Sequence, residues 1–271
     1  MPPVESPRRQ KIPEIIRPNR IACAFWSLNQ EMTPAHKVNF VREIDATAMD
    51  RLRQETHNGE GLKPSYTALI VKAATIALKE YPYANRAILG PPFFRRIVQF
   101  NNMDITVAIE RNVPQAESVV LADTILDTDR KSLVQITREL QHSLTADAEQ
   151  HPRWKLFFTL LSKMPVFLSR WVIRAPRYLP NEWVKHRGNA CFVNSPAKYG
   201  IDFVIADMIW PLTVMFGWVK ERPIAIDGKV EVRKTMPLSI IFDRRIMAGA
   251  PAARFFNRLA EILENADCEL R

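Results

Sequence analysis

Four strand-like runs follow one another near the C-terminus, TVMFGWV, PIAI, VEVR and MPLSIIFD, with no helical stretch between them. Such adjacent strands argue for an antiparallel or mixed sheet with helices laid against it, an α+β arrangement rather than a regular alternation of strand and helix. Asp227-Gly228, between PIAI and VEVR, is the residue pair of a type I′ hairpin turn, whose two central residues both need positive φ. A helix over about 250–265 closes the chain, with Phe255, Leu259 and Ile262 on its apolar side.

Upstream, ATAMDRLRQETHN offers a short helix with Met49 and Leu52 on one side. SYTALIVKAATIALKEYP repeats Tyr66, Leu69, Ile70, Ala73, Ile76 and Ala77 at helical spacing, and its single central charge, Lys72, predicts a largely buried helix. DITVAIE alternates Ile105, Val107 and Ile109, the period of a half-buried strand, and ESVVLA is a second candidate. RKSLVQITRELQHSL reads as a helix capped by Asp129, with Leu133, Ile136, Leu140 and Leu144 on one face. Pro2, Pro3, Pro7, Pro13 and Pro18 make residues 1–29 an extended arm. The remainder, 30–271, reads as one domain carrying an insert at 152–187.

With 47% hydrophobic residues among 271, the chain has enough apolar material for a core and is not a disordered polymer. Cys23, Cys191 and Cys268 are odd in number and far apart, which suits a reducing cytoplasm rather than a disulfide scaffold. The N-terminus has no apolar core of a secretory signal, and Lys163, Pro165 and Arg170 interrupt the longest apolar stretch. The scattered histidines have no metal-ligand spacing, so no metal is expected, and 8 glycines leave little material for a phosphate-binding loop.

Charge is uneven. The net is +9, and residues 151–190 hold eight basic side chains against Glu182 alone. Such asymmetry suits either a solvated basic face or an anionic partner.

The run MPLSIIFDRRIMAGAPAARFFNRLAEIL resembles the end of the dihydrolipoyl acyltransferase catalytic core of 2-oxoacid dehydrogenase complexes, in the chloramphenicol acetyltransferase-like superfamily. GWVKERPIAIDGKVEVRKTMPLS, KYGIDF, Trp210-Pro211 and KPSYTALIVKAATIALKEYPYAN resemble the family in order and spacing. The resemblance covers about 30–145 and 188–265. It implies the chloramphenicol acetyltransferase-like fold, a homotrimer with active sites between subunits, and coenzyme A or a carrier-bound acyl thioester as ligand. Lipoyl and subunit-binding domains are not seen upstream, so the chain reads as a free-standing core.

The family's His-x-x-x-Asp-Gly motif supplies a general base and an aspartate that fixes its loop. Here those positions read Arg244 and Ala248, while Ser239, Phe242, Asp243, Arg245 and Gly249 keep the pattern. A guanidinium does not give up its proton in a protein, so Arg244 cannot be a general base. The loss of the aspartate along with the histidine is expected on the ground that a buried, unpartnered carboxylate is costly. The family's oxyanion-stabilising serine lies six residues before a glycine, which points to Asn194, with Ser195 beside it, as candidate oxyanion donors or as an ordinary strand end. After VAIE, the sequence RNVPQAESVVL replaces the family's Gly-Leu-x-x-Pro-Val stretch.

The insert mixes Trp154, Phe157, Phe158, Phe167 and Trp171 with basic residues. It suits a packed helical hairpin, an interfacial helix on an anionic membrane surface, or a lid over an acyl groove. Three functions follow: an acyltransferase recast around Arg244, a catalytically dead thioester- or partner-binding relative, or an assembly or membrane-surface protein that kept only the trimeric scaffold. Nucleic-acid binding is not expected, since the basic segment is aliphatic-rich and has no recognition motif. The expected location is cytoplasmic, peripheral to the membrane in the last case.

Overall fold

The computed structural model describes residues 36–91, 93–112, 118–146, 154–155 and 163–271. The arm at 1–29, part of RNVPQAESVVL and the centre of the insert lie outside the described residues.

Strand β1 (Lys37–Asp45) leads into helices α1 (Thr47–Glu60) and α2 (Tyr66–Glu80), then the hairpin β2 (Arg86–Leu89) and β3 (Arg96–Gln99). Next come β4 (Ile105–Arg111), β5 (Val119–Ile125), α3 (Leu133–Thr145), α4 (Val166–Tyr178) and α5 (Pro180–Arg187). Strands β6 (Cys191–Asn194), β7 (Leu212–Phe216), β8 (Lys220–Ile226) and β9 (Lys229–Asp243) precede α6 (Gly249–Glu264) and α7 (Ala266–Glu269). The main sheet runs β1-β9-β7-β6-β4-β5, with β8 pairing the first half of β9. It is mixed, because β6 is parallel to both β4 and β7 while the other pairs are antiparallel.

VEVR and MPLSIIFD are therefore one strand and not two. Lys229–Thr235 pairs β8, and from Thr235 onward β9 lies against β1, with β7 on its other side from Leu238 to Phe242. Asp227 and Gly228 carry φ of 50° and 77°, as a type I′ turn needs. The cap of α3 is Ser132 and not Asp129. Ser132 Oγ accepts from Gln135 N–H while the Gln135 side chain accepts from Ser132 N–H, a reciprocal box that satisfies two helix-end donors.

Two cores explain why the middle of the sheet, β4, β6 and β7, is buried on both faces. Helices α2, α3 and α6 cover one side, where Leu69, Ile105, Val193, Ile240, Phe242 and Phe255 meet. On the other, Trp183 of α5, Phe192, Trp210 and the β2–β3 hairpin form a smaller cluster. Phe192 and Trp210 stack at 4.4 Å. Strand β4 is thus not half-buried as its alternation suggests. Thr106, on the face opposite Ile105, is also enclosed, and its hydroxyl donates to the Arg187 carbonyl at 2.9 Å.

The described part of the insert packs by its inner faces. Arg187 donates to the Ile173 carbonyl at 2.6 Å and lies 4.9 Å from the centre of the Trp183 ring. Trp154 donates to the Ala122 carbonyl at 2.8 Å, on edge strand β5. No helix among the described residues is long and apolar enough to cross a membrane.

Candidate active site

The turn after β9 holds its shape through backbone and ion-pair contacts. Arg245 grips Asp243 through two side-chain nitrogens, Nε to Oδ1 at 2.9 Å and Nη2 to Oδ2 at 2.5 Å. The Asp243 N–H donates to the Pro211 carbonyl, and the Arg244 N–H to the His36 carbonyl, both at 2.8 Å. Burial alone would raise the Asp243 carboxyl, but the hydrogen bonds from Arg245 and the charges of Arg245 and Lys37 outweigh it and hold the group below its ordinary value. Arg244 itself is exposed, and its side chain makes no hydrogen bond or ion pair among the described residues.

Ala248 is the N-cap of α6, with φ −75° and ψ 169° and no side-chain cap. It is exposed. The expectation that a carboxylate here would be buried and costly is therefore corrected. In this chain an aspartate at 248 would stand at a helix N-terminus, where its oxygens meet orphan N–H donors and the positive end of the helix dipole.

Asn194 and Ser195 end β6 and line a groove of about 640 Å³. Their geometry separates them. Ser195 Oγ donates to the Phe216 carbonyl at 2.8 Å and accepts the Ala197 N–H at 3.1 Å, so its proton is committed to holding the turn. The Asn194 side chain also lines the groove and has no hydrogen-bond partner among the described residues. At the same groove, Tyr199 donates to Glu110 at 2.5 Å and Lys198 forms an ion pair with Glu110. Leu144, the fourth member of the apolar face read for α3, is 55% exposed and forms part of this groove wall instead of the core. Neither α4 nor α5 contributes to the wall.

Arg244 and Ala248 are not in that groove. Asn194 is level with Met215, and Met215 with Ser239. Asp243 is four residues farther along β9, about 13 Å at the usual strand rise, and Arg244 lies beyond it. The two candidate residues stand at opposite ends of the sheet within one chain.

A residue that the sequence reading missed sits beside the motif. Lys37 opposes Asp243 across β1–β9 and donates to the Trp210 carbonyl at 2.6 Å. Burial pushes its amine down to about 8, against the attraction of Asp243 and Asp207 and together with repulsion from Arg245 and Arg177. Its only sequence signal is a charge at the head of an otherwise half-apolar strand.

A lysine with a folded pKa below its unfolded one binds fewer protons when folded, between the two values. Stability should therefore rise with pH from about 8 towards the unfolded value of ~10.4. Lys37→Met should remove ~2–3 kcal/mol of that rise, read by urea unfolding of both proteins at neutral and alkaline pH. A stability difference between the two proteins that is constant across this range would contradict the assignment.

The model of the 2-oxoacid dehydrogenases acyltransferase (catalytic domain) matches residues 21–152 and 187–270, and the chain belongs to that family. The unmatched interval falls inside the insert. The acetyltransferase component of the pyruvate dehydrogenase complex of Bacillus subtilis is 23% identical over 251 residues, 91% of this chain and 48% of that protein. The lipoamide acyltransferase component of the branched-chain complex of Pseudomonas putida is 23% identical over 85% of this chain and 47% of its own length. The chain thus spans about half the length of these curated relatives.

Solved structures agree on the fold. A probable dihydrolipoamide acetyltransferase from Listeria monocytogenes has a TM-score of 0.65 at 21% identity, covering 96% of this chain and 97% of that one. The dihydrolipoamide acetyltransferase of Azotobacter vinelandii reaches 0.69 at 20%, covering 100% and 99%. A chloramphenicol acetyltransferase gives 0.51 at 13%, covering 89% and 94%.

Proposed function

We propose that this chain is a thioester-binding acyltransferase core that works as a homotrimer, with Asn194 of one subunit and Arg244 of the next facing the same ligand. The separation of the two residues within a single chain carries this reading. They can act at one reacting thioester carbonyl only if different copies supply them, and the family's homotrimer is the assembly that would do so.

The groove fits such a ligand. Its volume is in the range of small-molecule sites, and its wall is largely apolar, with Val120, Leu144 and Phe216 beside Asn194. Lys198, paired with Glu110 at the groove, adds a cation for the phosphates of coenzyme A or the phosphopantetheine of an acyl carrier. The Asn194 amide would donate to the oxyanion as the thioester carbonyl is attacked. Arg244 would hold the oxyanion or an attacking thiolate, since a neighbouring cation favours the ionised thiol, but bulk solvent must take the proton.

One observation favours a binding-only relative. Arg244 cannot accept a proton, and the Ser195 hydroxyl is already committed to Phe216. Base-driven acetyl transfer is thus outside the proposed activity.

Light scattering coupled to gel filtration should give about three times 31.2 kDa, and calorimetry should detect coenzyme A binding that weakens in Asn194→Ala. A monomer at micromolar concentration that still binds coenzyme A would overturn the shared site. A trimer that ignores coenzyme A would leave only the scaffold reading.

A further inference from the structure

The β2–β3 turn and α4 carry an apolar, cationic surface that the groove does not use. Phe93 and Phe94, in the turn, are 93% and 72% exposed, and Phe167 and Trp171, one helical turn apart on α4, are 65% and 66% exposed. The two elements meet where the Gly90 N–H donates to the Arg177 carbonyl at 2.9 Å. Four aromatic rings left to water on adjoining elements are more than a domain surface ordinarily tolerates without a partner.

The polar side chains among these rings have one sign. Arg95 and Arg96 follow Phe94, and both are exposed. Lys163, exposed, precedes α4, and Arg170 on α4 is partly buried. No Asp or Glu occurs between Arg86 and Met103 or between Lys163 and Asn181. Of the acids near this junction, Asp243 is paired with Arg245 at 2.5 Å, Glu182 lies 3.2 Å from His186, and Asp207 lies with Asp243 and Arg177 around Lys37.

On α4 the pattern follows the helix period. Ser169, Ile173 and Pro176 face the protein, Phe167 and Trp171 point away from it, and Arg170 lies between the two faces. Aromatic rings that reach outward, with long cationic side chains at their margins, are the arrangement that settles at the level of lipid headgroups. The rings enter the acyl boundary and the guanidinium groups stay with phosphate.

We propose that the β2–β3 turn and the outer face of α4 dock on an anionic lipid surface. Charge complementarity selects this occupant. A second copy meeting the same face across a two-fold axis would set arginines against arginines, a three-fold contact would need an acidic facing patch and is tested by particle size below, and an anionic leaflet attracts each basic side chain near it. This docking stands independently of any chemistry in the groove.

The test is co-sedimentation of the full chain with vesicles of phosphatidylcholine alone and of phosphatidylcholine mixed with phosphatidylglycerol. The full chain should partition to the anionic vesicles, at least ~10-fold over the neutral ones, and lose that preference in high salt. Arg95→Gln with Arg96→Gln should weaken binding roughly 30-fold, the value that ~1 kcal/mol per basic residue gives at ~1.4 kcal/mol per tenfold. Phe93→Ser with Phe94→Ser should weaken it as well, while melting temperature and particle size stay at wild-type values. Indifference to both vesicle types would overturn the proposal, as would equal, salt-independent binding to both. A change in particle size in either variant would instead identify the face as a contact between copies and would also overturn it.

Discussion

Acetyl transfer from acetyl coenzyme A to dihydrolipoamide should run at or near the uncatalysed rate. A positioned general base typically contributes ~10²- to 10⁴-fold, and no group in the turn after β9 can fill that role. Arg244 stays protonated, Asp243 is tied to Arg245 below its ordinary carboxylate range, and Lys37 on neighbouring β1, with its amine at about 8 and donating to the Trp210 carbonyl, is still mostly protonated at neutral pH. With a thiol of pKa ~8.5, solvent alone leaves a few per cent thiolate at neutral pH. Restoring the motif should separate two contributions. Ala248→Asp by itself should stabilise the fold by ~0.5–2 kcal/mol, because α6 lacks a side-chain cap, and should leave transfer unchanged. Arg244→His together with Ala248→Asp should raise transfer above either single variant, since the backbone that would present the imidazole is already pinned to His36. Chromatographic measurement of free coenzyme A and S-acetyl-dihydrolipoamide decides the matter, because transfer from thioester to thiol leaves the total thiol count unchanged. Strong wild-type turnover that survives Arg244→Ala would refute both the missing-base reading and any role for Arg244. Turnover lost in Arg244→Ala would show that the arginine has acquired a catalytic role.

How much of this was legible in the sequence depends on the range of the contact that carries it. The Asp227-Gly228 turn was legible because two adjacent residues alone determine it. The buried helix α2 was legible because its apolar period is local. Strand β9 was read as two pieces because polar Lys234 and Thr235 interrupt its apolar run. Their environment comes from a change of partner, β8 giving way to β7, which only the sheet order reveals. The Ser132–Gln135 cap was present as Ser-x-x-Gln, but Asp129 competed for the same role three residues earlier. It lost because the reciprocal pair satisfies two donors at once. The burial of β4 on both faces comes from Trp183 and Phe192, far along the chain.

The site divides in the same way. Arg244 and Ala248 were found because a motif strand fixes their spacing, and the cost of Ala248 was misjudged because exposure at a helix start cannot be counted from a motif. Asn194 and Ser195 are neighbours in sequence, so nothing there could say which one keeps its polar group for the groove. The Phe216 carbonyl decides it. Lys37 was missed because its meaning depends on Asp243 across the sheet, a partner fixed by register alone.

Gly217→Ala should damage both stability and the groove. A Cβ at this position would lie 1.8 Å from the Asp202 carbonyl oxygen, and the struck atom is backbone, so no rotamer change relieves the contact. The segment carrying Asp202 must retreat. It is held to the sheet by the Trp218 N–H, which donates to the Ile201 carbonyl at 2.9 Å, and by the Asp202 carboxylate, which accepts from Lys220 at 2.7 Å and Arg222 at 2.8 Å. Forcing atoms into a filled space costs ~1–3 kcal/mol, and a lost backbone hydrogen bond adds ~1 kcal/mol. The same segment supplies Val204 to the groove wall, and Trp218 is its neighbour there, so coenzyme A binding should fall with stability. Arg271→Gln provides the contrast. It removes one exposed ion pair, with Glu55, worth ~1 kcal/mol or less and pushes nothing out of place, so it should shift the melting temperature little and leave binding intact. If Gly217→Ala melts like the wild type and binds coenzyme A as tightly, the close approach of residue 202 to β7 is not what shapes this groove.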